Sequence, residues 1–322
     1  MTKYTVAVTD YGFPDLHQEE DVLLPMGFEF VTGQCKTADE VMQLTRHADA
    51  ILIERAPITK EVIENLERCK IIVRYGVGVD SVDIQAAKER NIPVVNVPDY
   101  GTGEVADHAM SLLLSSVRKI PQIVSQVRRG VWQTTPCRPI MGLQGKMLGI
   151  AGFGHIGKDV AKRAQSFGIQ TIAYDPYVPE NVCNELNTEK VDWHTLLERS
   201  DMISVHLPLT PETKHLFHDE AFERMKSTAY LVNTSRGGVI RTESLIDALQ
   251  TNKIAGAALD VLEEQPIPMS SPLLQFDNCF ITSHCAWYSE SSLNRLQRHA
   301  ALEIKRIFSG ERPKYVVNGV EV

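Results

Sequence analysis

Short apolar runs alternate with amphipathic stretches through the first hundred residues. The apolar runs predict buried strands at residues 4–9, 28–32, 50–53, 71–73 and 94–97. The stretches between them carry apolar positions at helical spacing and predict helices at 16–24, 37–45, 59–66 and 84–90. Because the strands are apolar along their whole length and alternate with helices, we expect a parallel sheet that is covered on both faces.

A second series of strands and helices begins near Lys146. Its six predicted strands are at 147–151, 171–174, 202–205, 229–232, 255–259 and 279–281, and its helices are at 156–167, 213–223 and 243–249. Between the two series, residues 103–129 form one long apolar helical pattern that Pro121 is expected to bend or interrupt. The last helix, 289–308, could return to the first domain. The pattern predicts an α/β protein with two doubly wound parallel-sheet domains.

Length, charge and cysteine spacing narrow the class of protein. A chain of 322 residues exceeds one typical core, and a net charge of -8 disfavours non-specific binding to nucleic acid or to anionic membranes. We find neither a signal-peptide run nor a membrane-spanning run. The six cysteines are scattered, without metal-ligand spacing. We therefore expect reduced thiols in a cytosolic protein and no bound metal.

Gly152, Gly154 and Gly157 form a GxGxxG pattern directly after the predicted strand 147–151 and at the start of a helical pattern. In a dinucleotide-binding turn, the first glycine permits the tight turn and the second lets the backbone approach the pyrophosphate. The third lets helix and strand pack closely. A glycine turn that binds nothing is the alternative, and the strand–turn–helix context disfavours it.

The next predicted strand ends at Asp175, 23 residues after Gly152. A carboxylate at this position can accept hydrogen bonds from the ribose hydroxyls and would repel a 2′-phosphate, which favours NAD over NADP. His155 and Ile156 lie at the helix N-terminus, where unpaired N–H groups and a partial positive charge favour phosphate. The sequence therefore predicts an NAD site, although Asp175 could also be an ordinary loop acid.

Three further loops leave the ends of predicted strands and carry residues suited to hydride transfer. The loop 233–238 contains Arg236, the loop 260–266 is rich in carboxylates and amides, and the loop 283–288 contains His284. Reduction of a 2-oxo acid needs a cation for the carboxylate and a proton donor that titrates near neutrality. Each residue alone could be a bystander, but their joint placement after successive strands favours an active site.

These motifs, in this order, resemble the D-isomer-specific 2-hydroxyacid dehydrogenase family over nearly the whole chain. The resemblance rests on the segments 74–80, 103–107, 152–157, 232–238 and 256–261. The segment 284–290, HCAWYSE, is most similar to the branch that contains the C-terminal binding proteins, beside a likeness to phosphoglycerate dehydrogenase.

The resemblance implies a division of the chain into a substrate domain and a cofactor domain. A flavodoxin-like substrate domain would comprise residues 1–101 and 290–322, and a Rossmann NAD-binding domain, 102–289, would be inserted into it, with the active site in the cleft. The resemblance also implies a homodimer built around the cofactor domains, which interconverts a small 2-oxo acid and a D-2-hydroxy acid. The cytoplasmic location is expected from the cysteine pattern.

The resemblance also implies roles for individual residues. Arg236, Gln265 and His284 occupy the catalytic positions. The positions that bind substrate are Arg74, Gly76, Val77, Gly78, Arg236, His284 and Trp287. Those that bind the cofactor are Gly152, Gly154, His155, Ile156, Gly157, Asp175, Leu207, Pro208, Thr213, Thr234, Ser235, Arg236, Asp260, His284 and Trp287. Trp287 implies a substrate with an apolar or thioether tail, unless it only packs in the core.

One residue departs from the family pattern. The catalytic glutamate of the family stands just before a proline, where this chain has Gln265 before Pro266. Because a glutamine orients the histidine ring without stabilising its positive charge, we expect a lower pKa for His284 and weaker or acid-shifted activity. Glu264 could substitute if the loop register slips by one residue. A third alternative is an NAD(H)-sensing binding protein with little turnover.

Substrate identity is not determined by these motifs. Pocket shape would depend on side chains such as Tyr75, Tyr100, Trp132 and Trp287. A relative that acts on formate or phosphite is a further alternative, and the carboxylate-binding elements disfavour phosphite.

Overall fold

The computed structural model describes residues 4–321 and divides the chain into two compact units. The first unit combines the N-terminal part up to Gly101 with the C-terminal part from Ser289, and the second is Thr102–Tyr288. No helix within the described residues has the length and apolarity to cross a membrane.

The first unit contains a five-stranded parallel sheet. Its strands are β1 (Tyr4–Val8), β2 (Phe28–Thr32), β3 (Ala50–Ile53), β4 (Ile71–Arg74) and β5 (Val94–Val95), with helices α1 (His17–Leu23), α2 (Ala38–Thr45), α3 (Lys60–Asn65) and α4 (Ile84–Glu89). The strand order β2-β1-β3-β4-β5 is the flavodoxin-like order. All four residues of β3, at the centre of the sheet, are fully buried, as a strand covered on both faces requires.

The second unit contains a seven-stranded parallel sheet. Its helices are α5 (Thr102–Val117), α6 (Ile120–Arg128), α7 (His155–Gln165), α8 (Glu180–Asn184), α9 (Trp193–Arg199), α10 (Asp219–Arg224) and α11 (Thr242–Gln250). Its strands are β6 (Met147–Ala151), β7 (Gln170–Tyr174), β8 (Thr188–Lys190), β9 (Met202–Val205), β10 (Tyr230–Asn233), β11 (Gly256–Leu259) and β12 (Cys279–Ile281). Helix α12 (Glu290–Phe308) belongs to the first unit.

The strand order of this sheet is β12-β11-β10-β9-β6-β7-β8, which is the Rossmann order. The chain reverses direction across the sheet between β6 and β9, and ligands of such sheets bind outside the carboxyl ends of the strands at this point. The predicted fold class, two doubly wound α/β domains with parallel sheets, is confirmed.

Strand β8 and helix α10 differ from the prediction made from the pattern. The sheet has a seventh strand, β8, which the pattern missed because it is short, polar and pairs only with β7. The helix predicted at 213–223 is wrong in its first half: α10 begins at Asp219, because Thr213 closes a turn and His215 has a left-handed backbone (φ 56°). The long helix is interrupted as predicted, with Pro121 in the first turn of α6.

A buried polar network links α12 to the rest of the first unit. The Tyr75 hydroxyl donates to Glu19 Oε1 (2.7 Å), and Gln297 Nε2 of α12 donates to Glu19 Oε2 (3.0 Å) and to the Asp15 carbonyl (2.8 Å). Glu19 is fully buried, and desolvation raises its pKa from 4.5 to about 7 despite these donors. The C-terminal helix is therefore held by a carboxyl group whose ionisation is costly in the folded state.

Glu19→Gln is expected to remove a pH dependence of stability. A carboxyl group whose pKa is higher in the folded state stabilises the fold fully below pH 4.5, and this contribution, about 3 kcal/mol, is lost as pH rises through about 7. Urea unfolding at pH 5, 6, 7 and 8 should show the parent losing stability relative to Glu19→Gln. A constant difference between the two proteins across this range would contradict the assignment.

Candidate active site

The glycine turn lies at the point where the second sheet reverses its strand order. Gly152 has a φ of +94°, and a Cβ there would lie 2.7 Å from the carbonyl carbon of His206, so the turn after β6 packs directly on the chain after β9. A Cβ at Gly157 would overlap the Gly152 carbonyl oxygen. A Cβ at Gly154, by contrast, would meet no atom within 4 Å. The turn is therefore packed on two sides and open at Gly154, the N-cap of α7.

Asp175 is anchored at the end of β7 beside this turn. Its Oδ2 accepts from the Phe153 N–H (2.9 Å), and its Oδ1 accepts from the N–H groups of Tyr177 (2.9 Å) and Val178 (3.2 Å). These contacts fix the carboxylate at the same sheet edge as the N-terminus of α7, which is where the fingerprint places it.

The loops after β9 and β10 complete this edge. Thr213 Oγ1 donates to the Pro208 carbonyl (2.6 Å) and closes a turn that starts beside the buried Leu207. The Thr234 hydroxyl is buried and has no hydrogen-bond partner among the described residues. An open glycine, a helix N-terminus, a fixed carboxylate and a buried hydroxyl without a partner form a donor and acceptor set that fits a dinucleotide.

Arg236 lies in a loop that is held by the buried Asn233. The Asn233 Oδ1 accepts from the N–H (3.0 Å) and the hydroxyl (2.9 Å) of Ser235, and its Nδ2 donates to the Arg236 carbonyl (3.0 Å). Arg236 Nη1 donates to the Ser235 carbonyl (2.9 Å). The turn after β10 therefore places the Arg236 guanidinium at the carboxyl edge of the sheet, with its Nη1 hydrogen-bonded to the Ser235 carbonyl.

The loop after β12 is organised by Asp260, which is 2% exposed. Its carboxylate accepts from Thr282 Oγ1 (2.5 Å) and from the N–H groups of Cys285 (3.0 Å) and Ala286 (2.9 Å). The N–H of His284 donates to the Asp260 carbonyl (2.9 Å). These bonds hold His284 in a left-handed backbone conformation (φ 56°), which is uncommon outside glycine.

His284 Nδ1 lies 2.9 Å from Gln265 Oε1, and Gln265 Nε2 donates to the Leu262 carbonyl (2.9 Å). Because the Gln265 amide nitrogen is committed to Leu262, its oxygen faces the ring, and Nδ1 must carry the hydrogen. Nε2 is then the nitrogen at which the ring gains or loses a proton. The hydrogen-bond partner of the His284 ring is Gln265, so the loop register does not shift to bring Glu264 to this position. Trp287 lies beside the same residue, since its Nε1 donates to the His284 carbonyl (3.0 Å).

His108, Asp260 and Cys285 bring one potential metal ligand each within 4.8 Å of one another, although the sequence spacing predicts no metal site. The three residues come from separate segments, so their spacing in the chain could not reveal the group. His108 Nε2 lies 3.0 Å from Thr282 Oγ1 and 3.6 Å from Asp260 Oδ1. The group is therefore a hydrogen-bonded network around the Asp260 carboxylate, which already accepts from Thr282, Cys285 and Ala286.

The first unit carries its own candidate anion-binding loop after β4. The carbonyls of Gly76 and Val77 accept from the Val97 N–H (2.9 Å) and from Asn96 Nδ2 (2.6 Å). Because the C=O and N–H of a trans peptide point in opposite directions, the N–H groups of Val77 and Gly78 point away from that support. The Arg74 guanidinium lies against Gly76, in the space that a side chain there would fill.

Two of the aromatic residues that were expected to shape a pocket differ in burial. Tyr75 is 2% exposed and hydrogen-bonded to Glu19, so it is a core residue of the first unit. Trp132, in the second unit, is 86% exposed. Sequence reasoning missed His215 and Glu263, whose side chains meet at 2.5 Å. Glu263 lies in the loop 260–266, but the sequence of this loop does not show which glutamate faces which neighbouring loop.

Comparison with known proteins places the chain in a family. The model of the D-isomer specific 2-hydroxyacid dehydrogenase NAD-binding domain matches residues 110–286. A hydroxypyruvate reductase of Thermotoga maritima is 37% identical over 96% of this chain and 98% of its own length. A D-3-phosphoglycerate dehydrogenase of Methanocaldococcus jannaschii is 39% identical over 97% of this chain, which spans 59% of that protein.

Among solved structures, D-lactate dehydrogenase of Aquifex aeolicus, complexed with NAD and lactic acid, aligns with a TM-score of 0.86 and 27% identity. The alignment covers 95% of this chain and 96% of that one. The predicted family, the NAD cofactor and the enzyme class, an NAD-dependent D-2-hydroxyacid dehydrogenase, are confirmed at this level. The chain therefore belongs to the D-isomer specific 2-hydroxyacid dehydrogenase family.

Proposed function

We propose that the protein reversibly reduces a small 2-oxo acid to the D-2-hydroxy acid, with His284 as the acid/base. The observation that carries the proposal is the hydrogen bond between His284 Nδ1 and Gln265 Oε1, which directs the exchangeable proton to Nε2. The cofactor, when bound, supplies the hydride. In reduction, His284 gives a proton to the ketone oxygen, and in oxidation it takes the proton of the hydroxyl group.

We assign the substrate carboxylate to Arg236 and to the N–H groups of Val77 and Gly78, with Arg74 adding positive charge. Backbone N–H groups held in a fixed loop bind an anion at little cost in conformational entropy. Arg236 also lies in the loop that follows the interior strand β10 and can polarise the carbonyl of the substrate. Trp287, fixed through its bond to the His284 carbonyl, would form an apolar wall for the substrate tail.

The substrate class is a small 2-oxo acid. Relatives that are named glyoxylate reductase and hydroxypyruvate reductase match 85% and 98% of their own lengths, so these two acids are the first candidates. The Asp175 carboxylate supports NAD(H) over NADP(H), because it would repel a 2′-phosphate. The cytoplasmic location stays a prediction.

We further propose a homodimer formed through α6. Ile120, Val124 and Val127 lie on one face of this helix and are 48%, 43% and 42% exposed, which is costly for a stripe of apolar side chains in water. A second copy of the chain would bury this stripe by the symmetric contact that is usual for homodimers.

One alternative function has a specific observation in its favour. Because Gln265 is neutral, it cannot stabilise the imidazolium form of His284, as a carboxylate would. A protein that binds NAD(H) and turns over little substrate would tolerate this residue. An NAD(H)-sensing binding protein, similar to the C-terminal binding proteins, is therefore the second candidate.

The purified protein is expected to oxidise NADH with at least one 2-oxo acid of a panel from glyoxylate and hydroxypyruvate to phenylpyruvate and 4-methylthio-2-oxobutyrate. His284→Ala should lower kcat by about 10²–10⁴ because the proton donor is lost. NADPH should replace NADH poorly. Tight NADH binding without turnover on any acid would reject the enzyme and leave the sensing protein.

Gln265→Glu is expected to shift the pH profile of reduction to higher pH. A carboxylate beside Nδ1 stabilises the imidazolium and should raise the pKa of His284, so the proton-donating form persists to higher pH. Steady-state rates from pH 5 to 9 measure the shift. Gln265→Ala is the control, since it removes the partner without adding charge. Superimposable profiles for Gln265→Glu and the parent would contradict the role of Gln265.

Val124→Asp is expected to convert a dimer into a monomer, because it places a charge in the apolar stripe of α6. Light scattering should give twice the chain mass of 36.0 kDa for the parent and the chain mass for the variant. Gln126→Asp adds the same charge two residues further, on another side of the helix, and should stay dimeric. A monomeric parent would end this proposal.

A further inference from the structure

Three loops at the carboxyl edge of the second sheet pack on one another, and one of them contacts His284 through Gln265. They are the loops after β9 (206–218), after β10 (234–241) and after β11 (260–266). The His215 N–H donates to the Gly238 carbonyl (2.8 Å), which joins the first two loops. The third loop lies against the second so closely that a Cβ at Gly237 would overlap the Leu262 carbonyl group. The position of each loop therefore depends on its neighbours.

The carboxylate of Glu263 joins its own loop to the loop after β9 and to the start of α11. Its Oε1 lies 2.5 Å from His215 Nε2, and its Oε2 accepts from the Thr242 N–H at 2.6 Å. Thr242 is the first residue of α11, so its N–H lacks a partner within the helix, and a negative charge is favoured at this end. The side chains of His215 and Glu263 are only 36% and 27% exposed. We call this group of three residues the Glu263 clamp.

Glu263 lies two residues before Gln265 on the same loop. The carbonyl of Leu262, the residue directly before Glu263, accepts the bond that orients the Gln265 amide, and that amide is the partner of His284 Nδ1. A continuous series of contacts thus runs from His215 and Thr242 through Glu263 and the Leu262–Gln265 backbone to the imidazole ring.

We propose that Glu263 is a positioning residue, which holds the loop after β11 so that Gln265 orients the ring of His284. This proposal rests on the function proposed above. A neutral amide attracts the ring less strongly than a carboxylate would, because a hydrogen bond between uncharged groups is weaker than a charge-assisted one. The orientation of the ring therefore depends more on where the loop places the amide, and the charged group that fixes the loop is Glu263.

The test compares the steady-state kinetics of the full-length parent, Glu263→Ala, Glu263→Gln and Glu264→Ala. Glu263→Ala should lower kcat by about tenfold to a hundredfold, with the affinity for NADH unchanged within about twofold, because misplacement of a catalytic group affects mainly the chemical step. Glu263→Gln should recover much of kcat, since its amide can accept from Thr242 and donate to His215. Glu264→Ala removes the neighbouring charge and should behave as the parent.

A double-mutant cycle separates positioning from a general structural role. If Glu263 acts through Gln265, then Glu263→Ala should have almost no further effect on kcat when Gln265 is already alanine. Thermal melting of each variant identifies loss of fold. His215→Gln, which leaves Glu263 and the Thr242 bond in place, gives a milder version of the same change.

Two results would overturn the proposal. One is a kcat for Glu263→Ala within about twofold of the parent, and the other is independent, multiplicative effects of the Glu263 and Gln265 substitutions. If the parent itself has no turnover, the proposed function fails but the clamp does not. In that case NMR measures the pH titration of the His284 ring in the parent and in each variant of the cycle. A titration in Glu263→Ala that equals that of the parent would overturn the positioning role of Glu263.

Discussion

The close packing of the turn after β6 on the chain after β9 is the constraint on which the second unit depends. Gly152 meets the backbone of His206 and Leu207 at distances that leave no room for a side chain. This contact lies at the point where the strand order of the sheet reverses, and it leaves the N-terminus of α7 open at Gly154. The packing that stabilises the sheet and the opening that suits a pyrophosphate are therefore consequences of the same three glycines.

The placement of the residues that we propose as reactive follows from this arrangement, because all seven strands are parallel. Parallel strands bring their carboxyl ends to one edge, so Arg236, Gln265 and His284 lie in loops at the same edge although they are far apart in the chain. The edge is then fixed by side chains that take no part in chemistry. Asn233 holds the loop of Arg236, and Asp260 holds the loop of His284 in a backbone conformation that a histidine seldom adopts.

Much of the fold could be predicted from the sequence, and the reasons are physical. Strands such as β3, β6 and β9 are continuous apolar runs, and their predicted bounds match because burial on both faces requires such runs. Strand β8 was not predicted because a polar edge strand of three residues lacks such an apolar run. The helix expected from 213 failed because Thr210 and Thr213 bond to the backbone of their own turn, which competes with helix formation.

The candidate site was predictable to the level of residue identity but not of residue contact. The glycine turn and the positions of Arg236 and His284 follow from motifs, whereas the meeting of Glu263 with His215 depends on how three loops pack. Two glutamates and one glutamine stand side by side in this loop, and only the backbone decides which of them faces the histidine. Gln265 does so, which gives the ring a fixed tautomer without a neighbouring negative charge. The acid/base that we propose at His284 therefore has a fixed ring orientation but a neutral partner.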